Sequence, residues 1–193
     1  SAAQTIGFIM GDTRWGLEKV YDKELTGTPG RIFRTYDDTS SVVTNDIEPI
    51  KGNDLITTLD LTLQQYAEEV VKNTYKSLSP TYTPESVSII LMNPKTGEIL
   101  AIAQYPDFDL NDPNNISLFE DPTYKANFEK MSSEEQLKIK NSIWKNVTIA
   151  DSMEPGSTFK AITVAAGLAE GVISENETFY CAGYKQVADY KIR

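Results

Sequence analysis

The sequence contains no histidine, and its single cysteine is Cys181. Without histidine a Ser-His-Asp triad cannot be assembled within the chain, and no metal site can use an imidazole ligand. One cysteine excludes an internal disulfide and says little about redox compartment. There is no apolar run of 18 or more residues, so no segment reads as a membrane-spanning helix. Ser1-Ala2-Ala3-Gln4-Thr5 lacks the charged stretch and apolar core of a signal peptide and reads as a cut end. Tyr190-Lys191-Ile192-Arg193 reads as a β-like segment cut at the other end. Positive charge is also scarce: 18 Lys and Arg against 28 Asp and Glu give a net charge of −10 and a pI of about 4.5. Such a surface disfavours nucleic acid and anionic membranes as partners. Nothing in the composition calls for a cofactor or a metal.

What the chain does contain is enough apolar material for a core: 40% hydrophobic residues at a mean hydropathy of −0.35 over 193 residues. The spacing of Leu17, Val20, Tyr21 and Leu25 predicts one short amphipathic helix over Gly16–Leu25, stopped by Gly27-Thr28-Pro29-Gly30. Arg31 to Tyr36 and Ser41 to Thr44 predict a hairpin around an Asp37-Asp38 turn, and Leu55 to Thr58 a short strand. Asp60 is placed to cap a helix from Leu61 to Leu78, with Leu63, Tyr66, Ala67, Val70, Val71 and Tyr75 as its apolar face and Ser79-Pro80 as its stop. Val87–Met92 and Ile99–Ala103 predict a hairpin closed by Asn93-Pro94-Lys95-Thr96-Gly97-Glu98. Tyr105 to Tyr124 reads as a loop. Its aspartates Asp107, Asp109, Asp112 and Asp121 lack EF-hand spacing, so a solvated loop is preferred to a calcium site. Ser132 or Ser133 with Glu134-Glu135 opens a helix over Gln136 to Trp144.

The chemistry-bearing stretch is Glu154-Pro155-Gly156-Ser157-Thr158-Phe159-Lys160, which runs into the apolar Ala161–Ala169. Pro155-Gly156 marks a turn, and the helix formers that follow put Ser157 and Lys160 on one helix face. A serine hydroxyl needs a base to become a nucleophile, and a lysine can be that base if burial or neighbouring cations lower its pKa. The bland alternative is a capping serine beside a solvated lysine. Gly167 interrupts the helical pattern and Gly171 predicts its stop. Lys95-Thr96-Gly97 and Ser174-Glu175-Asn176 spell two further tripeptides of serine acyl-transfer enzymes. The first fills a hairpin turn ahead of the serine and the second follows the helix stop too closely, so both read as turns.

In order along the chain, these segments resemble class B penicillin-binding proteins. Gly16-Leu17-Glu18 with Tyr21-Asp22, Leu25, Gly27 and Pro29-Gly30 resembles part of their pedestal. Thr57–Gln64 resembles the start of the first transpeptidase helix and Asn93–Ala101 the first hairpin. Lys145–Asp151 followed by Glu154–Lys160 and Leu168–Gly171 resembles the active-site serine region. Phe179-Tyr180-Cys181-Ala182-Gly183 is similar to a segment of sporulation and division members. The resemblance implies an α+β fold: a small pedestal segment over residues 1–58, then the first part of a transpeptidase domain over 59–193. It implies a D,D-transpeptidase that cross-links peptidoglycan stem peptides ending in D-Ala-D-Ala. Ser157 would form the acyl-enzyme and Lys160 would accept its proton. β-Lactams would be inhibitors, other wall-synthesis proteins further partners, and no cofactor or metal would be needed. The parent would be anchored before Ser1 and act on the extracytoplasmic face of the bacterial membrane. The family's S-x-N and later K-T-G are missing after the serine helix, so the fragment alone is expected to be inactive. A non-catalytic docking module of the wall-synthesis machinery is the competing reading, and a β-lactam sensor or β-lactamase a third, the latter disfavoured by the N-terminal segment.

Overall fold

The computed structural model describes residues 1–36, 42–78, 82 and 84–192, which form two compact units, Ser1–Asp151 and Ser152–Arg193. The first unit opens with α1 (Ala3–Ile6) and a tight ribbon of β1 (Ile9–Met10) and β2 (Thr13–Arg14). The helix expected over Gly16–Leu25 is two helices, α2 (Gly16–Val20) and α3 (Asp22–Leu25), broken at Tyr21 with φ −107° and ψ 24°. Asp22 explains the break. Its carboxylate opens a new helix N-terminus, takes an ion pair from Arg14 Nε at 2.7 Å and accepts the Thr26 hydroxyl at 2.9 Å. Strands β3 (Arg31–Tyr36) and β4 (Val42–Ile47) form the expected antiparallel hairpin. The Asp37-Asp38 turn, like the Ser79-Pro80 stop, lies outside the described residues.

Leu55–Thr58 is not a strand. Its β-branched residues run beside the sheet without a ladder, and the chain is held instead by the Thr58 hydroxyl on the Ile99 carbonyl (2.7 Å) and the Asp60 N–H on the Leu100 carbonyl (2.8 Å). Asp60 then caps α4 (Leu61–Leu78) by accepting the Leu63 N–H at 2.9 Å. This helix lies on a hairpin of β5 (Val87–Met92) and β6 (Ile99–Tyr105), paired from Val87↔Tyr105 to Met92↔Ile99. The buried face of α4 is Gln64, Ala67 and Val71, whereas Leu63, Tyr66 and Val70 from the expected stripe are exposed. A polar side chain turned the face. Gln64 Nε2 donates to the Ile102 carbonyl at 2.9 Å and its Oε1 accepts the Ile102 N–H at 2.8 Å. Ala67 and Val71 pack there with Ala101, Ala103 and Tyr105.

Residues 105–124, expected to be a loop, are largely ordered into elements. Strand β7 (Phe108–Asp109) pairs with β8 (Asp112–Ile116), a 3₁₀ turn spans Ser117–Glu120, and α5 (Pro122–Phe128) follows. Buried Phe108 and Ile116 drive this, and Pro122 begins a helix without disturbing it because Asp121 caps the turn. Helix α6 (Ser133–Trp144) carries the full Ser132–Glu135 capping box, and α7 (Val147–Ala150) ends the unit. The second cluster of buried residues joins Ala3 and Phe8 to Phe108, Ile116, Ile143 and Trp144. Its aromatic centre is Phe8 with Phe108 and Trp144 at ring separations of 5.3 and 5.2 Å.

In the second unit a 3₁₀ turn at Gly156–Thr158 leads into α8 (Phe159–Ala169), and β9 (Lys185–Val187) pairs with β10 (Tyr190–Ile192). Among the described residues no helix is long and apolar enough to cross a membrane.

Candidate active site

The turn before the serine is built by two residues. Pro155 sets its own φ at −70°, and Gly156 adopts φ +54°, a left-handed conformation that an L side chain resists. The chain then coils as 3₁₀, with the Thr158 N–H and hydroxyl both on the Pro155 carbonyl, and passes into α8. Ser157 therefore sits in the 3₁₀ turn rather than in the α-helix proper, and Lys160 is the second residue of α8. The 3₁₀ turn thus ends between the two residues, Ser157 lying inside it and Lys160 beyond it. Both are exposed, and among the described residues no hydrogen bond or ion pair engages the Ser157 hydroxyl or the Lys160 amine.

The helix behind them is apolar on several sides, with Phe159, Ile162, Val164 and Leu168 exposed. It stops as expected at Gly171. The Val172 N–H reaches the Gly167 carbonyl (3.0 Å) and the Gly171 N–H the Leu168 carbonyl (3.1 Å), with Gly171 at φ +65°. These are the two bonds of a Schellman motif. Gly167 has a packing reason to lack a side chain: a Cβ there would stand 2.9 Å from the Ile173 Cδ1.

Lys95-Thr96-Gly97 and Ser174-Glu175-Asn176 both lie in turns. In the first, the Asn93 side chain accepts the Lys95 N–H and Gly97 turns at φ +79°; in the second, the Ser174 carbonyl accepts the Glu177 N–H. The loop aspartates are used locally. Asp109 and Asp112 accept the N–H groups of Asn111 and Asn114, and no metal-holding cluster occurs among the described residues. Asp107 differs. Burial pushes its carboxyl above the usual range, partly offset by hydrogen bonding with Ser117, and Glu68 adds to the rise while Lys72 opposes it.

The structure also exposes what the sequence reading passed over. Ser142-Ile143-Trp144-Lys145 is a second S-x-x-K, bordering a cleft of about 440 Å³ with Glu85, Gln104 and Asp151. Its geometry does not pair the two groups. The Ser142 hydroxyl donates back to the Ile139 carbonyl at 2.7 Å, and Lys145 is committed to the Asp151 carboxylate.

Comparison with known proteins gives the family of the chain. Residues 87–193, more than half of the chain, match the family described as penicillin binding protein transpeptidase domain. The chain belongs to that family. Stage V sporulation protein D of Bacillus subtilis is 30% identical over 92% of the chain, and the peptidoglycan D,D-transpeptidase FtsI of Escherichia coli K12 is 31% identical over 95%. The peptidoglycan D,D-transpeptidase MrdA of the same organism is 25% identical over 89%. The chain spans only about a quarter of these curated relatives, 24%, 27% and 24% of their lengths. A crystal structure of penicillin binding protein 2X from Streptococcus thermophilus has the same α+β fold, with a TM-score of 0.59 at 24% identity, covering 99% of this chain and 26% of that one.

Proposed function

We propose that the parent protein is a peptidoglycan D,D-transpeptidase and that Ser157 is its acylated nucleophile. The observation that carries this reading is the Ser157–Lys160 spacing at a glycine-made turn entering an apolar helix, inside the stretch that matches the transpeptidase family. In the proposed step Ser157 Oγ attacks the penultimate D-Ala carbonyl of a stem peptide, and Lys160 takes its proton. The C–N bond to the terminal D-Ala breaks, the proton passes to the leaving amine, and an ester remains on Ser157. An amine of a second stem peptide then attacks the ester, forming the cross-link and freeing the serine. A β-lactam follows the first step and stops at the ester. The Ser157 N–H serves as one oxyanion donor, a contribution of about 3–4 kcal/mol in comparable sites.

A lysine works as this base only when other groups strip its water or lower its proton affinity. Lys160 is exposed, and in this reading the 193-residue chain alone is expected to be inactive. The proposal includes a membrane-anchored, extracytoplasmic parent with wall-synthesis partners. It also assigns residues 1–58 to a pedestal segment and 59–193 to the transpeptidase part by descent rather than by compactness, since Ala3 and Phe8 share a core with Trp144.

The test is labelling of the full-length protein with a fluorescent penicillin, followed by peptide mapping. Label on Ser157 that disappears in Ser157→Ala is expected. Label on Ser142, or none on a folded protein, would overturn the proposal.

A further inference from the structure

The first unit holds two separate clusters of buried residues. One lies between α4 and the β5–β6 hairpin, with Ala67, Val71, Ala101, Ala103 and Tyr105. The other is completed by residues from the start of the chain: Ala3 and Phe8 pack against Phe108, Ile116, Ile143 and Trp144. The segment that supplies them is fastened by side chains. Gln4 is 8% exposed, and its Nε2 donates to the Ile143 carbonyl at 3.1 Å and to the Pro106 carbonyl at 3.3 Å. The Thr5 hydroxyl accepts Asn146 Nδ2 at 3.3 Å, and the Ala2 N–H donates to the Glu68 carboxylate at 2.6 Å. Helix α1 between them has four residues, too few to hold a helical turn unaided.

The segment begins on a strained residue. Ala2 is 4% exposed and has φ +55° and ψ +37°, a left-handed conformation that an alanine side chain resists. Such a backbone persists only while the surrounding contacts over-determine it. Strain at the entry therefore works against a fastening made of a few side-chain bonds. Undoing it removes the Gln4 donor from two carbonyls and takes Phe8 away from Phe108 and Trp144, whereas the cluster under α4 keeps all of its members.

We propose that residues 2–8 are a releasable strap that keeps residues 106–147 in order. With the strap fastened, the second cluster is closed. With it released, residues 106–147 loosen while α4 and the β5–β6 hairpin stay folded on their own cluster. Regions that open separately in this way exchange their amide hydrogens as separate cooperative units.

The experiment is hydrogen–deuterium exchange read by mass spectrometry on the full-length protein, comparing wild type with two variants that act in opposite directions. Gln4→Leu keeps an apolar body of similar size and removes the donor from both carbonyls. It is expected to speed exchange about tenfold, together, in peptides covering residues 2–8, 106–116 and 141–147, as the loss of buried hydrogen bonds does. Peptides from residues 61–78 should be unchanged. Ala2→Gly relieves the left-handed strain and is expected to slow the same three regions about threefold. A change confined to residues 2–8 overturns the proposal, because the strap would then order nothing but itself. Equal acceleration in residues 61–78 also overturns it, since the unit would open as a whole. If Gln4→Leu is not recovered folded, Ala2→Gly decides alone: exchange that is unchanged or faster in residues 106–116 and 141–147 sinks the strap.

Discussion

Sequence periodicity and structure disagree about which residues of α4 carry stability, and two substitutions separate them. The apolar stripe includes Tyr66 and leaves out Gln64. In the structure Tyr66 is 66% exposed and Gln64 is 1% exposed. Gln64→Leu removes the bonds to both the N–H and the carbonyl of Ile102. Ile102 is half-buried, so the two stranded groups fall at the low end of the usual range, about 2 kcal/mol together. The added apolar burial of leucine returns about 1 kcal/mol. A net loss of about 1 kcal/mol remains, which at an ordinary urea slope lowers the unfolding midpoint by roughly 0.5 M. Tyr66→Ala should change stability by no more than about 0.5 kcal/mol, as exposed substitutions do. Urea unfolding of the 193-residue chain, followed by circular dichroism, compares the two directly. If Tyr66→Ala costs more than Gln64→Leu, the placement of the buried face is wrong and the glutamine does not hold the sheet edge.

Trp144→Ala should be the most damaging of the single changes considered, about 3–5 kcal/mol, because it empties the aromatic centre shared with Phe8; loss of near-ultraviolet dichroism would report it. Ser132→Ala removes one half of the capping box on α6 and should cost about 1 kcal/mol in urea unfolding. Asp107 has a raised carboxyl in the folded state, chiefly from burial. As the pH rises past the unfolded value, the unfolded chain releases this proton while the folded one retains it, so stability falls through that window and the loss persists above it. Asp107→Asn abolishes this slope. Its stability relative to wild type should therefore improve between pH 4 and pH 7, and a constant difference would show that Lys72 has already compensated the buried charge.

Features that depend on a few neighbouring residues could be read in advance. The Asp60 cap, the Ser132–Glu135 box, the Gly171 stop and the β5–β6 hairpin each rest on contacts between residues close in sequence. The Pro155-Gly156 turn ahead of Ser157 is local in the same way. The misreadings share the opposite cause. Residues 108–128 carry prolines and asparagines that look like loop, and their elements form because Phe108 and Ile116 find Phe8 and Trp144, distant in sequence. The break at Tyr21 depends on Arg14 reaching Asp22. Gln64 and Gln4 look like surface residues until the backbone groups they serve are known. No periodicity marks a glutamine that replaces a strand.

That replacement decides how a larger sheet can be assembled. Along the outer side of β6, the Ile99 carbonyl is taken by Thr58, the Leu100 carbonyl by the Asp60 N–H, and both backbone groups of Ile102 by Gln64. A strand arriving on that side would find these four groups already engaged and would have to displace Thr58, Asp60 and the Gln64 of α4 to reach them. Among the described residues β5 pairs with β6 alone. Growth of the sheet is therefore one-directional: β6 is a finished border, and each added strand must enter beside Val87–Met92.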